Sequence, residues 1–197
     1  GLMFNSFIKD VEHINNSSGF PVLETSRYKF SKIYNENICE LIEKSDILSQ
    51  NVLDLACGDG NHLYAVHKKF NSKCVGVDIR KSTRWDNYES ESIYFFKQDI
   101  DQIIKNITCK KPFDIIITMN TLRSKLWNTN YLDKFLTWCS KNCKYLITNN
   151  CENNKFKGFK LVDNLEKTHK ELHPGLDVKN TINLFKSKNI KIIEENV

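Results

Sequence analysis

Arginine is scarce in this chain: Arg27, Arg80, Arg84 and Arg123 are the only four in 197 residues, and lysine supplies the rest of the positive charge. Arginine makes the bidentate phosphate and guanine contacts that lysine cannot reproduce. The net charge of +5 is therefore weak support for a nucleic-acid partner. Long apolar runs are missing, and without about 18 consecutive apolar residues no membrane span is expected. The first residues lack a basic segment followed by an apolar core and a small-residue cleavage site, so no secretion signal is expected either. Cysteines number seven, an odd count, with no CxxC pair, and Cys57, Cys74 and Cys139 sit inside apolar runs. Such usage suits reduced thiols and a cytoplasmic location. Cys139, Cys143 and Cys151 have no histidine at zinc spacing beside them, so no metal is expected.

What is present fits one domain, 1–197, long enough to bury a core and short for two. A polar turn, "NNSSGFP", ends any first helix near Asn15. The next stretch, from Thr25 to Leu48, carries Tyr28, Ile38, Leu41 and Ile42 near a helical stripe, with Thr25 or Ser26 as a cap. The centre then alternates. Apolar strands "NVLDLA", "KCVGVDI", "SIYFFKQDI", "FDIIITMN" and "KYLITNN" are separated by helical stretches that include "NHLYAVHKKF" and "YLDKFLTWCSKN". Continuous apolar strands between helices indicate a mostly parallel sheet covered on both faces. After Asn150 the pattern weakens, with a turn at Pro174-Gly175; "LDVKNTINLFKSKN" then reads as a helix and "IKIIEEN" as a closing strand.

Only seven glycines occur, and two of them, Gly58 and Gly60, fall between the first central strand and the first central helix. Several ligand classes use a loop in that position. A dinucleotide site wants G-x-G-x-x-G, but the third position here is Leu63, too bulky for close helix–strand packing. Asp59 inside the loop would repel an approaching pyrophosphate. The phosphate loop G-x-x-x-x-G-K-[ST] does not occur. A ligand with a ribose and a cationic, phosphate-free tail suits an acidic loop better. Asp54, Asp78 and Asp99 are expected at or near the C-terminal ends of three successive strands, beyond which open α/β sheets hold ligands.

"VLDLACGDG" resembles motif I of the class I S-adenosylmethionine-dependent methyltransferases, whose usual form is an acidic residue, one residue, then Gly-x-Gly-x-Gly. Ala56 stands at the first glycine, and Gly58 and Gly60 match the others. The resemblance covers roughly residues 50–150. It implies a three-layer Rossmann-like α/β fold with a mostly parallel sheet of six or seven strands and helices on both faces. It also implies S-adenosylmethionine as cofactor and S-adenosylhomocysteine as product. The implied cofactor set is Asp54, Ala56, Gly58, Gly60, Asp78, Ile79, Asp99, Ile100 and Thr118. In this family the acid at Asp78 accepts from both ribose hydroxyls, and the acid at Asp99 accepts from the adenine amino group. Rival readings stay open: Asp54 as a loop cap, Asp101 as a helix cap in place of Asp99, Ile79 and Ile100 as core.

The acceptor is expected beside the end of the fourth strand, where Met119 and Asn120 are candidates, with Tyr28 from the N-terminal helix. Residues 1–48 are expected to form a helical lid, 50–150 the cofactor core, 151–175 an acceptor-side insertion, and 176–197 a closing helix and strand. The base-amino methylating enzymes carry [DNS]-P-P-[YFW] at the fourth strand; Met119-Asn120-Thr121 has no proline, which argues against that reaction. A cytosine-C5 mechanism needs a cysteine nucleophile, and Cys151 lacks a supporting motif. His169 and His173 in "HKELH" share a face if helical, and a solvated helix end is favoured over a metal pair. No catalytic residue is assigned. The expected acceptor is an oxygen or nitrogen of a small molecule, ahead of RNA and ahead of a non-catalytic subunit that only binds the cofactor.

Overall fold

The computed structural model describes residues 2–14, 28–119, 129–149, 156–170 and 177–190. Two helices, α1 (Leu2–His13) and α2 (Tyr28–Ser45), precede an alternation of β1 (Asn51–Leu55), α3 (Asn61–Phe70), β2 (Lys73–Asp78), α4 (Trp85–Tyr88), β3 (Ile93–Lys97), α5 (Ile100–Asn106), β4 (Phe113–Thr118), α6 (Thr129–Asn142) and β5 (Cys143–Asn149). Two long strands, β6 (Phe159–Lys170) and β7 (Asp177–Ser187), complete the described chain. The seven strands form one sheet in the order β3-β2-β1-β4-β5-β7-β6. Pairing is parallel from β3 through β5 and antiparallel where β7 joins β5 and β6. The expected α/β architecture is thus present, with seven strands.

Both faces of the sheet are covered, which is why its strands read as unbroken apolar runs. On one face Leu53, Leu55, Val75, Val77, Ile116, Leu146 and Phe185 meet residues of α1, α5 and α6, among them Phe4, Phe7, Ile103 and Phe135. On the other, Val52, Cys74, Ile115, Ile117, Ile147, Ile182 and Leu184 meet α2 and α3 through Ile38, Leu41, Ile42, Leu63 and Val66. Each such side chain contributes about 1.5–3 kcal/mol on burial. At the amino ends of the strands, Asp114 accepts from the backbone amides of Gln50 and Asn51 at 2.8 and 3.0 Å. This ties β1 to β4 in register.

Two expectations fail here. The stretch 176–189, read as a helix, contains the whole of strand β7 (Asp177–Ser187). Its Ile182–Phe185 run is buried on both sides of the sheet, so the apolar positions fit a helical stripe as well as a strand, and tertiary pairing decides. Residues 159–170, placed in an acceptor-side insertion, are β6 of the sheet itself. As an edge strand β6 alternates half-buried Leu161, Asp163 and Leu165 with exposed Val162, Asn164 and Glu166, a polar-rich pattern with little apolar signal. His169 therefore lies on a strand, opposite Val178, and not on a helix end.

Of the N-terminal segment expected as a lid, the described parts pack on the core. Phe7 of α1 meets Phe113 edge-on at 5.0 Å, and Phe4 lies 5.9 Å from Tyr94, so α1 belongs to the core. The C-terminal part of α2 is likewise buried, at Ile38, Leu41 and Ile42. The strand expected at 190–196, His173, Cys151 and the caps Thr25 and Ser26 lie outside the described residues.

A candidate cofactor site at the first strand-to-helix turn

The turn from β1 into α3 takes only five residues, and it does so with three left-handed backbones in alternation: Ala56 (φ 64°), Gly58 (φ 56°) and Gly60 (φ 84°). Glycine adopts that conformation at no steric cost, whereas alanine there is strained. A Cβ on Gly58 would meet nothing within 4 Å, so that part of the loop borders open space. Gly60 is different. Its absent Cβ leaves room for the ring of Phe95, which would otherwise lie 2.3 Å away.

Asp54 sits on β1 just before this turn. It is almost wholly buried, and neither carboxylate oxygen has a hydrogen-bond partner among the described residues. Burial pushes its carboxyl well above the ordinary range, and the charge of Asp78 adds to the shift. An unpartnered buried carboxylate is costly. A cationic ligand group beside it would remove that cost, which a loop cap cannot do because no loop amide donates to it.

Asp78 ends β2 and faces the same loop. One of its oxygens, Oδ2, accepts from the Gly58 amide at 2.8 Å and the other, Oδ1, accepts from the Arg80 amide at 2.9 Å. Burial raises its pKa, and the bonds from Arg80 and Gly58 pull it back. A carboxylate has about four acceptor sites, so Asp78 retains capacity for a diol.

The backbone oxygen of Asp78 accepts from Gln98, which brings the end of β3 alongside. Asp99 follows, and its Oδ1 accepts from the amide of Asp101 at 3.0 Å as the cap of α5. The helix cap is therefore Asp99 itself, while Asp101 lies in the first turn and pairs with Lys105 at 2.8 Å. Ile79 and Ile100 are half-buried, and Ile100 also packs against the core.

Thr118 ends β4 fully buried, with its hydroxyl lacking a partner among the described residues. The same holds for Thr148, its register neighbour on β5. Met119 is buried in the cluster that holds Cys57 and Leu63. Tyr28 begins α2, and Asn120 lies outside the described residues. Asp59 departs from its expected role. Its carboxylate accepts from Ser82 Oγ at 2.7 Å and lies 3.8 Å from Arg84 Nε, so its charge is engaged below the loop and not held ready to repel a phosphate.

The residues that sequence reasoning missed are Ser82, Arg84, Trp85 and Phe95. The Trp85 indole stacks on Phe95 with ring centroids 5.4 Å apart and donates to the Gly58 carbonyl at 2.9 Å. A lone tryptophan in the polar stretch "KSTRWDNY" was the available signal.

The family model described as a methyltransferase domain matches residues 49–195. The chain belongs to this methyltransferase family. The family's cofactor is S-adenosylmethionine, in agreement with the loop chemistry. No curated protein matches the chain. Among solved structures, the N-methyltransferase NodS from Bradyrhizobium japonicum WM9, in complex with S-adenosyl-L-homocysteine, is 11% identical, with 94% of this chain and 98% of that chain covered and a TM-score of 0.59. Magnesium protoporphyrin IX methyltransferase from Synechocystis PCC 6803, with the same product bound, is 10% identical, covering 93% and 94%, with a TM-score of 0.57. A proposed RNA methyltransferase from Pyrococcus horikoshii is 15% identical, covering 93% and 96%, with a TM-score of 0.56. At these identities the methyltransferase shares its fold with all three and its acceptor with none by inference.

Proposed function

We propose that this methyltransferase binds S-adenosylmethionine over the 54–60 loop and moves its methyl group to an oxygen or nitrogen of a small-molecule acceptor. The observation that carries the cofactor placement is Asp54, a buried carboxylate with no partner among the described residues, at the mouth of a glycine turn. The cofactor supplies an electrophilic methyl on a sulfonium whose sulfur leaves as a neutral thioether. Asp54 offers its charge to the cofactor's ammonium. Asp78, held by Gly58 and Arg80, accepts from the ribose hydroxyls. Asp99 accepts from the adenine amino group with the oxygen its helix does not use, and Ile79 and Ile100 flank the ring. Ala56, Gly58 and Gly60 keep the backbone low enough for close approach, and Thr118 lies beside the methyl. Met119, at the end of β4, borders the acceptor, and Asn120 and Tyr28 are the further acceptor candidates from the sequence.

Methyl transfer is an in-line displacement, so the chain's main tasks are to orient the acceptor and exclude water. The acceptor's lone pair forms the new bond to carbon as the carbon–sulfur bond breaks, and the acceptor's proton leaves to solvent or a base. The small-molecule reading is supported by the scarcity of arginine and by Met119-Asn120-Thr121 in place of a proline-containing base pocket. It is tested by incubating the protein with S-adenosylmethionine and either a metabolite extract or total RNA. Release of S-adenosylhomocysteine with the extract alone supports it. Release with RNA alone overturns it in favour of an RNA acceptor, and cofactor binding without turnover on either favours a non-catalytic subunit.

A further inference from the structure

The β2–β3 connection touches the glycine loop at consecutive residues. The Trp85 Nε1–H donates to the Gly58 carbonyl at 2.9 Å, while the Gly58 amide donates to Asp78 Oδ2 at 2.8 Å. Gly58 is thus pinned through both of its peptide groups, which fixes a left-handed backbone that a glycine next to open space would otherwise leave freely. One residue on, Asp59 accepts from Ser82 Oγ and lies 3.8 Å from Arg84 Nε. The clamp is itself braced: the Arg84 amide donates to Ser82 Oγ at 3.1 Å, and Trp85 stacks on Phe95, which fills the space beside Gly60 and Gly76.

We propose that Trp85, with Ser82 and Arg84, is a positioning clamp that acts through Gly58 to set the rotamer of Asp78 for the cofactor's ribose. The proposal rests on the cofactor placement above. Trp85 touches no ligand in it. The indole is buried behind the loop and holds Gly58 so that the Gly58 amide orients the Asp78 carboxylate. Losing the indole N–H frees the Gly58 carbonyl and lets the carboxylate turn.

The chain contains its own control. Trp138 donates its indole N–H to the Ile107 carbonyl at 2.7 Å in the core between α5 and α6, away from the loop. In a nitrogen–proton correlation spectrum of the wild-type protein titrated with S-adenosylhomocysteine, the Trp85 indole signal shifts in proportion to saturation and the Trp138 signal stays in place. The chain has three tryptophans, so the Trp85→Phe and Trp138→Phe spectra identify the two indole signals by their disappearance. Trp85→Phe keeps an aromatic ring against Phe95 but removes the donor and part of the indole's buried volume, so its thermal midpoint falls and affinities are compared well below that midpoint. Its affinity for S-adenosylmethionine falls about fivefold to tenfold, the weight of one buried hydrogen bond.

A wild-type protein that binds the cofactor while the Trp85 signal is unmoved overturns the clamp and leaves the cofactor site standing. Equal affinity of the folded Trp85→Phe variant does the same. A wild-type protein that binds no cofactor overturns both. Should Trp85→Phe fail to fold, the wild-type titration still decides, with Ser82→Ala as the affinity variant and the signal then assigned by sequential resonance assignment.

Discussion

The ring of Phe95 occupies the place where a side chain on Gly60 would begin: a Cβ there would lie 2.3 Å from Cε1 of the ring. Gly60 also has φ 84°, so Gly60→Ala meets a clash and a left-handed backbone together. Because the ring is stacked on Trp85, it cannot swing away without disturbing the loop. The substitution destabilises the fold by about 1–3 kcal/mol. Urea denaturation measures it, and Phe95→Leu in the same chain recovers part of the loss, since the two changes share one contact.

Ala56 carries the opposite prediction. It holds φ 64° with a Cβ, the strain glycine avoids. Ala56→Gly leaves stability unchanged or raises it by up to about 1 kcal/mol, the relief being offset by glycine's greater freedom in the unfolded chain. Ala56→Val, branched at Cβ, lowers it by more than about 1 kcal/mol. Denaturant midpoints of the three proteins rank Gly at or above Ala, and Val last.

The buried hydroxyls of Thr118 and Thr148 lack partners among the described residues, so replacing either with valine, which has nearly the same shape, removes an unsatisfied polar group. Each variant is as stable as the wild type or more stable by about 1 kcal/mol. If Thr118 borders the methyl as proposed, Thr118→Val nevertheless weakens cofactor binding, whereas Thr148→Val leaves it alone. Paired melting curves and cofactor titrations separate the effects.

Burial raises the folded-state pKa of Asp54 well above its ordinary value, with Asp78 adding to it. The folded chain keeps a proton that the unfolded chain releases, so stability present at low pH is lost as pH rises from the ordinary carboxylate range towards the raised value. Asp54→Asn removes this slope. Urea midpoints measured from about pH 4 to pH 8 show the wild type losing ground to the variant with rising pH. Parallel profiles contradict an ionisable orphan at this position.

His62 slopes the other way. Burial lowers its pKa to about 4, and its Nδ1–H donates to Asn35 Oδ1 at 2.6 Å between α3 and α2. Its stability contribution is complete above the ordinary histidine value and is lost as pH falls towards about 4. The imidazole resonances of His62 report this directly by titrating below those of a free histidine, and His62→Gln flattens the acid limb of the stability profile.

Much of this was legible in the sequence because the central strands are buried on both faces. "VLDLA", "KCVGVD" and "FDIIIT" can only be core strands, and their alternation with helices gives the parallel half of the sheet. The acids Asp54, Asp78 and Asp99 were legible as departures from that apolar pattern. The antiparallel half was not: β6 is a polar-rich edge strand, and β7 is packed on both sides, so neither carries a clean period of two. The back of the site was also hidden. Ser82, Arg84 and Trp85 act on the loop across 23–27 residues of chain, and no spacing rule connects "STRW" to "GDG". Asp59 was misassigned for the same reason, since its partners come from that segment.

Calorimetric titration with S-adenosylmethionine, of the wild-type protein and of Asp78→Ala, tests the central claim most directly. The account predicts saturable binding by the wild type, no heat with NAD, and a loss of about a hundredfold in affinity on removing a carboxylate that accepts two ribose hydroxyls. Absence of binding by the wild type, or undiminished binding by folded Asp78→Ala, contradicts it.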